Sequence, residues 1–486
     1  MSAGARPRLL RLAGAVVRRV PPLRRLATSL HGAFLAQREL DAEIGELTPL
    51  AARPSARTAP RLNLLLPGAS EQHVFGGAST ALALIDRLAG VPLPDGTRLQ
   101  RRILVTDERS LEGLDPRRFQ GWRVQAAADD DRDDPVLVPL GDRVGPDGTP
   151  ASVPVRAQDW FVATAWWTAH LARALVRWQA DAGGHAPHPF VYLIQDFEPG
   201  FYPWSSRYAL AEQTYRFDEP VIAVFNAGSL RTFFEGRGLS FAAQYGFEPT
   251  LHPELRRRLP DPNDPAARVR RILVYGRPGV PRNAFALLVR GLRHWAATDP
   301  RAGAWEVVSL GEAHPDVPLG GPGPVILRSE GKVSLDRYAT LMRASAIGVS
   351  LMLSPHPSYP PLEMAAFGMR TLTNRFEGKS LAAVHPNLIE LDALSPEALA
   401  RQLSDLTARF DADADACWSL APGRFGEPSD PFLFAEHLVG AWLGGRAGGP
   451  PASSSGRGDP SGDPPAPASP SSSTALPPSP SPGGGC

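Results

Sequence analysis

The chain has 486 residues, 43% of them hydrophobic, which is enough for two domains that each have a core. Its charge is nearly balanced, with 51 Lys and Arg against 50 Asp and Glu, and this argues against nucleic acid as the main partner. The cysteines, Cys417 and Cys486, have neither metal-ligand spacing nor a disulfide framework, which excludes a structural zinc site. They fit a reducing compartment, so we expect a cytoplasmic protein.

The two ends of the chain differ in composition from its middle. Residues 1–58 open with an Arg-rich stretch almost free of acids, and breaks at Arg18 and Pro21 argue against a cleaved signal peptide. Two interpretations stay open: a solvated basic tail, or an amphipathic segment lying on anionic lipid at the inner face of the plasma membrane. Residues 444–486 are rich in Pro, Ser and Gly and are expected to be disordered.

Residues 59–258 alternate short apolar runs with helical patterns, which is typical of parallel α/β layers. The run "LNLLLPG" from Leu62 to Gly68 predicts a buried strand, and "STALALIDRLAG" predicts a helix that Gly90 ends. Further strands are predicted in "RRILVTD", "FVYLIQDFEP" and "VIAVFNAG", with a helix in "DWFVATAWWTAHLARALVRW". We interpret this region as one open α/β sheet.

The alternation restarts over residues 268–443, after the proline-rich boundary "LHPELRRRLPDPNDPAARVR". The run "RILVYGRPG" predicts a strand that enters a glycine turn, and Phe285, Leu288, Leu292 and Trp295 share one face of the helix that follows. The repeated order predicts two doubly wound, Rossmann-like domains that face each other across a cleft. Ligands would bind outside the carboxyl ends of the strands.

Glycines and basic residues follow several predicted strands. Gly76 and Gly77 would let backbone N–H groups approach an anion, although a tight turn explains them equally well. Arg277 and Arg282 follow the first strand of the second domain, where a guanidinium can bind a diphosphate, and Lys332 lies in a similar loop. Solvated loop charges are the alternative. Neither G-x-G-x-x-G nor a Walker lysine is present, which disfavours a nicotinamide cofactor or a P-loop nucleotide.

The tract "SPHPSYPPLEMAAFG" predicts a stiff loop and a helix that begins near Pro360 or Pro361. Free N–H groups at that helix start would point to the cleft. Glu363 would then lie in the first turn, where its carboxylate can accept hydrogen bonds from ribose hydroxyls. A carboxylate that complements the helix dipole or completes a capping box is an equal alternative.

This tract resembles the nucleotide-sugar site of GT-B glycosyltransferases, in particular the bacterial rhamnosyltransferase family typified by WsaF. The likeness extends from about Leu62 to Leu391, through "LNLLLPG…HVFGGASTAL", "YLIQDFEPGFYP", "VIAVFNAG", "LVYGRP" and "EGKVSLDRYATLMRAS". The resemblance implies a GT-B fold, a dTDP-rhamnose donor, a rhamnose-containing surface polysaccharide as product, and no metal cofactor.

The resemblance also implies roles for individual residues. Arg277 would hold the diphosphate, with Arg282, Gly76 and Gly77 as further donor-site candidates. The nucleotide pocket would be lined by Lys332, Ser358, Tyr359 and Glu363, with Glu363 on the deoxyribose.

The chain departs from the wider retaining group in one respect. Those enzymes commonly pair two glutamates eight positions apart, but Pro355 stands eight positions before Glu363. Recognition of the sugar would then fall to the backbone, His356 or another group, and the stereochemical outcome stays open.

The first domain is expected to bind the acceptor. Asp196 is the candidate general base, because a carboxylate can take the proton of an acceptor hydroxyl within about 2.6–3.2 Å, and a turn-capping role is the alternative. His73 is a second catalytic candidate or an ordinary loop histidine, and Gln195 and Glu198 are acceptor-binding candidates. The acidic run Asp129–Asp134 has no other ligand types nearby in sequence, and we interpret it as a solvated loop rather than a metal site.

Taken together, the sequence indicates a cytoplasmic glycosyltransferase that moves rhamnose from dTDP-rhamnose to a growing, lipid-linked glycan. Two alternatives remain open. One is a sugar-nucleotide epimerase of the same fold, which would need acid and base groups around the donor sugar. The other is a glycan-binding or scaffold module of a polysaccharide assembly complex, without turnover.

Overall fold

The computed structural model describes residues 44–70, 76–115, 118–141, 151–261, 267–414, 420 and 423–443. The first half of the chain alternates strands and helices as the sequence predicts. Its elements are β1 (Ala51–Pro54), β2 (Arg61–Leu66), α1 (Gly77–Ala89), β3 (Gln100–Val105), β4 (Arg123–Val124), β5 (Val136–Pro139), β6 (Ser152–Val155), β7 (Asp159–Ala163), α2 (Trp166–Gly183), β8 (Phe190–Ile194), α3 (Ser206–Gln213), β9 (Val221–Phe225), α4 (Gly228–Gly236), β10 (Ala243–Gly246) and α5 (Pro253–Arg256).

The second half repeats the alternation. Its elements are β11 (Val269–Gly276), α6 (Phe285–Thr298), β12 (Glu306–Gly311), β13 (Val317–Gly320), β14 (Val325–Gly331), α7 (Leu335–Ala344), β15 (Ser345–Val349), α8 (Tyr359–Ala366), β16 (Arg370–Thr373), β17 (Leu388–Glu390), α9 (Pro396–Ala412), α10 (Gly423–Gly426) and α11 (Ala435–Leu443). The helix predicted from Phe285 is α6, and the apolar face predicted for it packs into the core through Leu288, Leu292 and Trp295.

Each half forms one large sheet. The first has eight strands in the order β10-β9-β8-β7-β2-β3-β5-β4, and all of its pairs are parallel. The second has seven strands in the order β13-β14-β12-β11-β15-β16-β17, and only the β13–β14 pair is antiparallel. From β2 the chain adds β3 and β5 on one side of the sheet and later adds β7, β8, β9 and β10 on the other side. Strand β11 likewise lies between β12 on one side and β15 on the other. The predicted pair of doubly wound domains is therefore confirmed.

Two segments cross between the domains. The C-terminal helix α11 lies in the core of the first domain, where Leu438 and Trp442 are buried and the Trp442 Nε1–H donates to Pro189 O at 2.6 Å. Leu251 and Leu255, at the end of the first half, pack in the core of the second domain. The boundaries of 59–258 and 268–443 stay a prediction, and each crossing segment buries apolar side chains in the core of the other domain.

The acidic run Asp129–Asp134 is exposed, as the sequence predicts, except at Asp131. The Asp131 carboxylate, 7% exposed, accepts hydrogen bonds from the buried Arg61 and, at 2.8 Å, from Arg156 Nε. A second buried carboxylate, Asp159, binds Arg61 at 2.7 Å and Arg102 at 3.4 Å. Burial alone would raise the pKa of Asp159, but the neighbouring guanidiniums outweigh burial and hold this pKa below its ordinary value. These ion pairs tie β2, β3 and β7 together near the amino ends of β2 and β7.

No helix in the described ranges is both long enough and apolar enough to cross a lipid bilayer. Of residues 1–58, for which the sequence leaves a solvated tail or a lipid-bound segment open, the structure describes 44–58, where β1 pairs with β6. Residues 1–43, and residues 444–486 with their expected disorder, lie outside the described ranges.

We predict that Asp159→Ala lowers the free energy of unfolding by about 3–5 kcal/mol, because it leaves buried guanidiniums without their carboxylate. Guanidinium chloride unfolding measures the loss. Asp134→Ala is the matched control, since Asp134 belongs to the acidic run and pairs with Arg123 at an exposed site. It should cost about 1 kcal/mol or less. Equal losses in the two variants would contradict a structural role for the buried ion pairs.

Candidate functional site

The candidate site lies where the strand order reverses in each sheet. In open parallel sheets, ligands bind outside the carboxyl ends of the strands at this point. In the first domain the point lies between β2 and β7, and Gly76 and Gly77 follow β2. In the second it lies between β11 and β15, where Arg277 follows β11 and the segment Ser354–Ser358 follows β15. The loops that the sequence singles out therefore lie at these two points.

The loop before α8 has few backbone donors. In residues 355–361 four positions are proline, so only His356, Ser358 and Tyr359 have an N–H. The His356 N–H donates to Ser354 Oγ at 3.0 Å, and the Ser358 N–H donates to His356 Nδ1 at 3.0 Å. The expectation of several free N–H groups at this helix start is wrong, because only the N–H of Tyr359 remains.

The start of α8 also differs by a residue from the prediction. Ser358 has φ +69° and ψ 144°, which non-glycine residues seldom adopt, and the helix begins directly after it at Tyr359. Glu363 is therefore the fifth helical residue and lies in the second turn rather than the first. A backbone conformation of this kind costs on the order of 1–3 kcal/mol and is found mainly at functional sites.

Glu363 and Arg277 come together around two tyrosines. The Tyr338 hydroxyl of α7 donates to Glu363 Oε2 at 3.0 Å. The Tyr275 hydroxyl, on β11, interacts with both Arg277 and Glu363. Burial raises the pKa of Glu363 to about 7, although the hydrogen bond from Tyr338 lowers it. Two of the predicted donor-binding residues thus share one site.

Two further donor-site candidates flank this group. Tyr359 is half-buried, and its hydroxyl interacts with Thr80 on α1 of the first domain. Lys332 is exposed in the loop between β14 and α7, the helix that carries Tyr338. The roles assigned to Tyr359, Lys332 and Ser358 stay predictions.

Asp196 and Arg282 meet at the boundary between the domains. Asp196 follows β8, is 7% exposed and accepts a hydrogen bond from the Ser354 hydroxyl of the second domain. Its other carboxylate oxygen lies 3.5 Å from Arg282 Nε, and the Arg282 guanidinium stacks on the Phe201 ring at 4.1 Å. The candidate base of one domain is therefore held by the candidate diphosphate ligand of the other.

A buried lysine lies beside this contact, and the sequence analysis does not find it. Lys379 is 2% exposed, in the turn after β16, and its Nζ donates to Met352 O at 2.9 Å. Burial lowers the pKa of Lys379 to about 8, while Asp196 and Glu390 raise it. Its local sequence, "EGKS", is that of an ordinary exposed turn, so no local signal distinguishes this lysine.

The first domain has a pocket of about 310 Å³ at its reversal point. A Cβ atom at Gly77 would lie 2.7 Å from Gln195 Oε1, so only glycine allows this approach of α1 to the Gln195 side chain. Gln195 Oε1 is buried and has no hydrogen-bond partner among the described residues. The pocket is lined by Leu66, Pro67, Gly68, Gly77, Ala78, Asp107, Glu108, Thr164 and Gln195.

Glu198 lies in the interior rather than at an open surface. It is 7% exposed, and its carboxylate accepts a hydrogen bond from the Tyr192 hydroxyl at 2.8 Å. Burial raises the pKa of Glu198 to about 8. Direct contact with an acceptor stays a prediction for Glu198, but its present partners support the loop that carries Asp196. His73, the other catalytic candidate, lies outside the described residues.

Metal binding by acidic or imidazole side chains has no candidate in the part of the chain that the structure describes, because no three His, Cys, Asp or Glu side chains cluster there. Positive charge at the candidate donor site comes instead from Arg277 and Arg282. Independence from metal ions stays a prediction.

Two facing Rossmann-like domains, with a C-terminal helix that returns to the first domain, define a GT-B fold. Comparison with known families gives the narrower assignment. Residues 61–228 match the model described as "WsaF, N-terminal domain", and residues 270–404 match "WsaF, C-terminal domain". The two matches together span more than half of the chain, which therefore belongs to the WsaF family.

Similar proteins include the "O-antigen biosynthesis protein RfbC" of Myxococcus xanthus, 34% identical over 221 residues. That match covers 45% of this chain but only 16% of the relative's length. Similar solved structures include WaaG, described as a glycosyltransferase involved in lipopolysaccharide biosynthesis, with 13% identity and a TM-score of 0.46 over 79% of this chain and 100% of that one. Sucrose-phosphate synthase from Thermosynechococcus elongatus has 13% identity and a TM-score of 0.42 over 79% and 94%.

We predict that Glu363→Ala weakens dTDP binding roughly tenfold or more, because a hydrogen bond to a charged acceptor is lost. Isothermal titration calorimetry measures the affinity, and circular dichroism checks the fold. Glu330→Ala is the control, since Glu330 belongs to the same domain but pairs with Arg337 near its surface. Unchanged dTDP affinity in Glu363→Ala would leave Glu363 only a role in the helix.

Proposed function

We propose that the chain is a glycosyltransferase that moves rhamnose from dTDP-rhamnose to a growing, lipid-linked surface polysaccharide. The observation that carries the proposal is the meeting of Asp196, from the first domain, with Arg282, from the second. Asp196 would supply a base on the acceptor side and Arg282 a positive charge for the leaving diphosphate, and this contact brings the two groups together.

The donor nucleotide would bind the second domain. Arg277 and Arg282 would bind the diphosphate oxygens, since guanidinium groups match phosphate in charge and geometry. Glu363 would accept hydrogen bonds from the deoxyribose, beside Arg277, and Tyr359 and Lys332 would line the same pocket. Because prolines leave the loop few N–H groups, side chains rather than backbone N–H groups at the start of α8 would provide most of the contacts to the diphosphate.

The acceptor would bind the first domain, at the pocket beside Gln195. A volume of about 310 Å³ is at the lower end of the range of roughly 300–1,000 Å³ for small-molecule sites, which suits a single sugar ring. The Gln195 Oε1 atom, which lacks a partner among the described residues, would accept a hydrogen bond from a sugar hydroxyl.

In the reaction, Asp196 would take the proton of an acceptor hydroxyl. The bond between the sugar C1 and the diphosphate oxygen breaks, a new bond forms between C1 and the acceptor oxygen, and dTDP leaves with its charge balanced by Arg277 and Arg282. General base catalysis contributes about 10²–10⁴-fold to the rate of such steps. Electrostatic stabilisation of the leaving group by preorganised positive charge adds to it.

We predict that the protein releases dTDP from dTDP-rhamnose when a rhamnose-terminated acceptor is present. A coupled assay for dTDP measures release, and mass spectrometry measures the lengthened acceptor. The same acceptor, free and attached to lipid in vesicles that contain anionic lipid, tests the lipid-linked part of the proposal. A chain that binds the donor but gives no product would contradict transfer and favour a binding module. Conversion of the donor sugar without acceptor would favour an epimerase.

We predict that Asp196→Asn lowers kcat by about a hundredfold or more and changes donor affinity much less, because the amide cannot accept the proton. Steady-state kinetics give kcat, and calorimetry gives the donor affinity. The control is Asp218→Asn, an exposed carboxylate of the same domain, which should keep the wild-type rate. A near-normal kcat in Asp196→Asn would remove Asp196 from the mechanism.

A further inference from the structure

The His356 imidazole is held in one orientation within the proline-rich loop. The residue is 6% exposed. The ring Nδ1 accepts a hydrogen bond from the Ser358 backbone N–H at 3.0 Å, and the backbone N–H of His356 donates to Ser354 Oγ at 3.0 Å. Its carbonyl oxygen lies 3.5 Å from Lys379 Nζ. Three neighbours therefore fix the loop on both sides of the ring.

The hydrogen bonds also determine where the ring carries its proton. Burial lowers the pKa of His356 to about 4, with Lys379 and Arg282 lowering it further and Asp196 raising it, so the ring is neutral near pH 7. Because Nδ1 accepts a hydrogen bond, the single proton of the neutral ring lies on Nε2.

The Nε2–H group is buried, and no described residue accepts a hydrogen bond from it. A buried donor without a partner costs about 1–3 kcal/mol, and such groups are uncommon in folded proteins. The backbone N–H groups of His356 and Ser358 in this loop already have hydrogen-bond partners. The Nε2–H is thus available for an acceptor atom that a ligand brings.

The surroundings of the ring indicate which part of a ligand would reach it. His356 interacts electrostatically with Arg282 and with Asp196, the candidate groups for the diphosphate and the acceptor hydroxyl. In a transfer reaction the donor's sugar ring lies between its diphosphate and the attacking hydroxyl. An N–H group near both Arg282 and Asp196 is therefore closer to the sugar of the nucleotide sugar than to its nucleoside, which lies beyond the diphosphate.

We propose that the His356 Nε2–H donates a hydrogen bond to an oxygen of the donor's sugar ring, so that His356 helps to select the sugar. This inference rests on the proposed function, because it takes the ligand to be a nucleotide sugar. The residues on either side of His356, Pro355 and Pro357, have no backbone N–H that could bind the sugar, so the inference assigns this role to the His356 side chain.

Two substitutions separate the roles of the two ring nitrogens. His356→Asn keeps an acceptor near the Nδ1 position for the Ser358 N–H and deletes the Nε2 donor. His356→Gln places an amide N–H near the Nε2 position and leaves the Ser358 N–H without its acceptor. The two variants therefore break the loop contact and the ligand contact separately.

Calorimetry with dTDP-rhamnose and with dTDP tests the inference. For His356→Asn we expect roughly three- to tenfold weaker binding of dTDP-rhamnose and unchanged binding of dTDP, since a single hydrogen bond to the sugar is lost. For His356→Gln we expect sugar-nucleotide affinity closer to wild type. In the wild-type protein labelled with ¹⁵N-histidine, dTDP-rhamnose should shift the Nε2–H resonance that His356→Asn removes, and dTDP should shift it much less.

Unchanged affinity of His356→Asn for dTDP-rhamnose would overturn the inference, and so would an equal loss for dTDP, which would place the contact on phosphate. The NMR measurement uses the wild-type chain, and either His356→Asn or His356→Gln assigns the resonance, so the question is decided even if one of the two variants fails to fold. If wild-type protein binds dTDP but gains nothing from the sugar, the inference fails while the nucleotide site stands. If wild-type protein binds neither ligand, the proposed donor itself is contradicted.

Discussion

The contact between the Asp196 carboxylate and the Arg282 guanidinium is the interaction on which the site depends. It joins the two domains, and both groups are largely removed from water. Removing two charges from water costs several kcal/mol for each, and the cost is recovered only when further hydrogen bonds satisfy them. Here the Ser354 hydroxyl and the Phe197 N–H bind the carboxylate, and the Phe201 ring supports the guanidinium.

Other contacts keep the domains in register around this pair. Ser229 Oγ on α4 donates to Pro355 O at 2.8 Å, and the Tyr359 hydroxyl interacts with Thr80 on α1. The C-terminal helix α11 adds an apolar contact with the first sheet. Two Rossmann-like domains are thus linked at the loops where their sheets reverse, which is where a ligand shared by both domains would bind.

Prolines impose a second constraint, on hydrogen-bond donors. Four prolines fix the course of the loop before α8 but remove the N–H groups that a helix start would offer an anion. In the proposed function, recognition would pass to side chains: guanidiniums for phosphate, Glu363 for the nucleoside, and the His356 ring for the sugar. The strained backbone of Ser358 is consistent with a loop shaped for a ligand rather than for stability.

The sequence predicts the fold well because its signals are local. Buried strands such as β9 are continuous apolar runs, and α6 has its apolar residues on one face. The site is predicted less completely. Arg277 and Glu363 lie near each other because Arg277 follows β11 and Glu363 lies on α8, the helix after β15, which is the strand beside β11.

What the sequence does not predict depends on contacts between distant residues. Asp131 looks solvated until Arg61, 70 positions earlier, pairs with it. Lys379 looks exposed because the loop that covers it, through Met352 and His356, belongs to another part of the chain. Helix α11 follows the second domain in sequence but buries Trp442 in the first. Local patterns contain no information on such pairings.

The most direct test of the account is the structure of the chain with dTDP bound. We predict that the diphosphate lies within hydrogen-bond distance of Arg277 and Arg282, and that the deoxyribose contacts Glu363. A nucleotide held instead in the first domain, beside Gly77 and Gln195, would contradict the assignment of the donor site to the second domain.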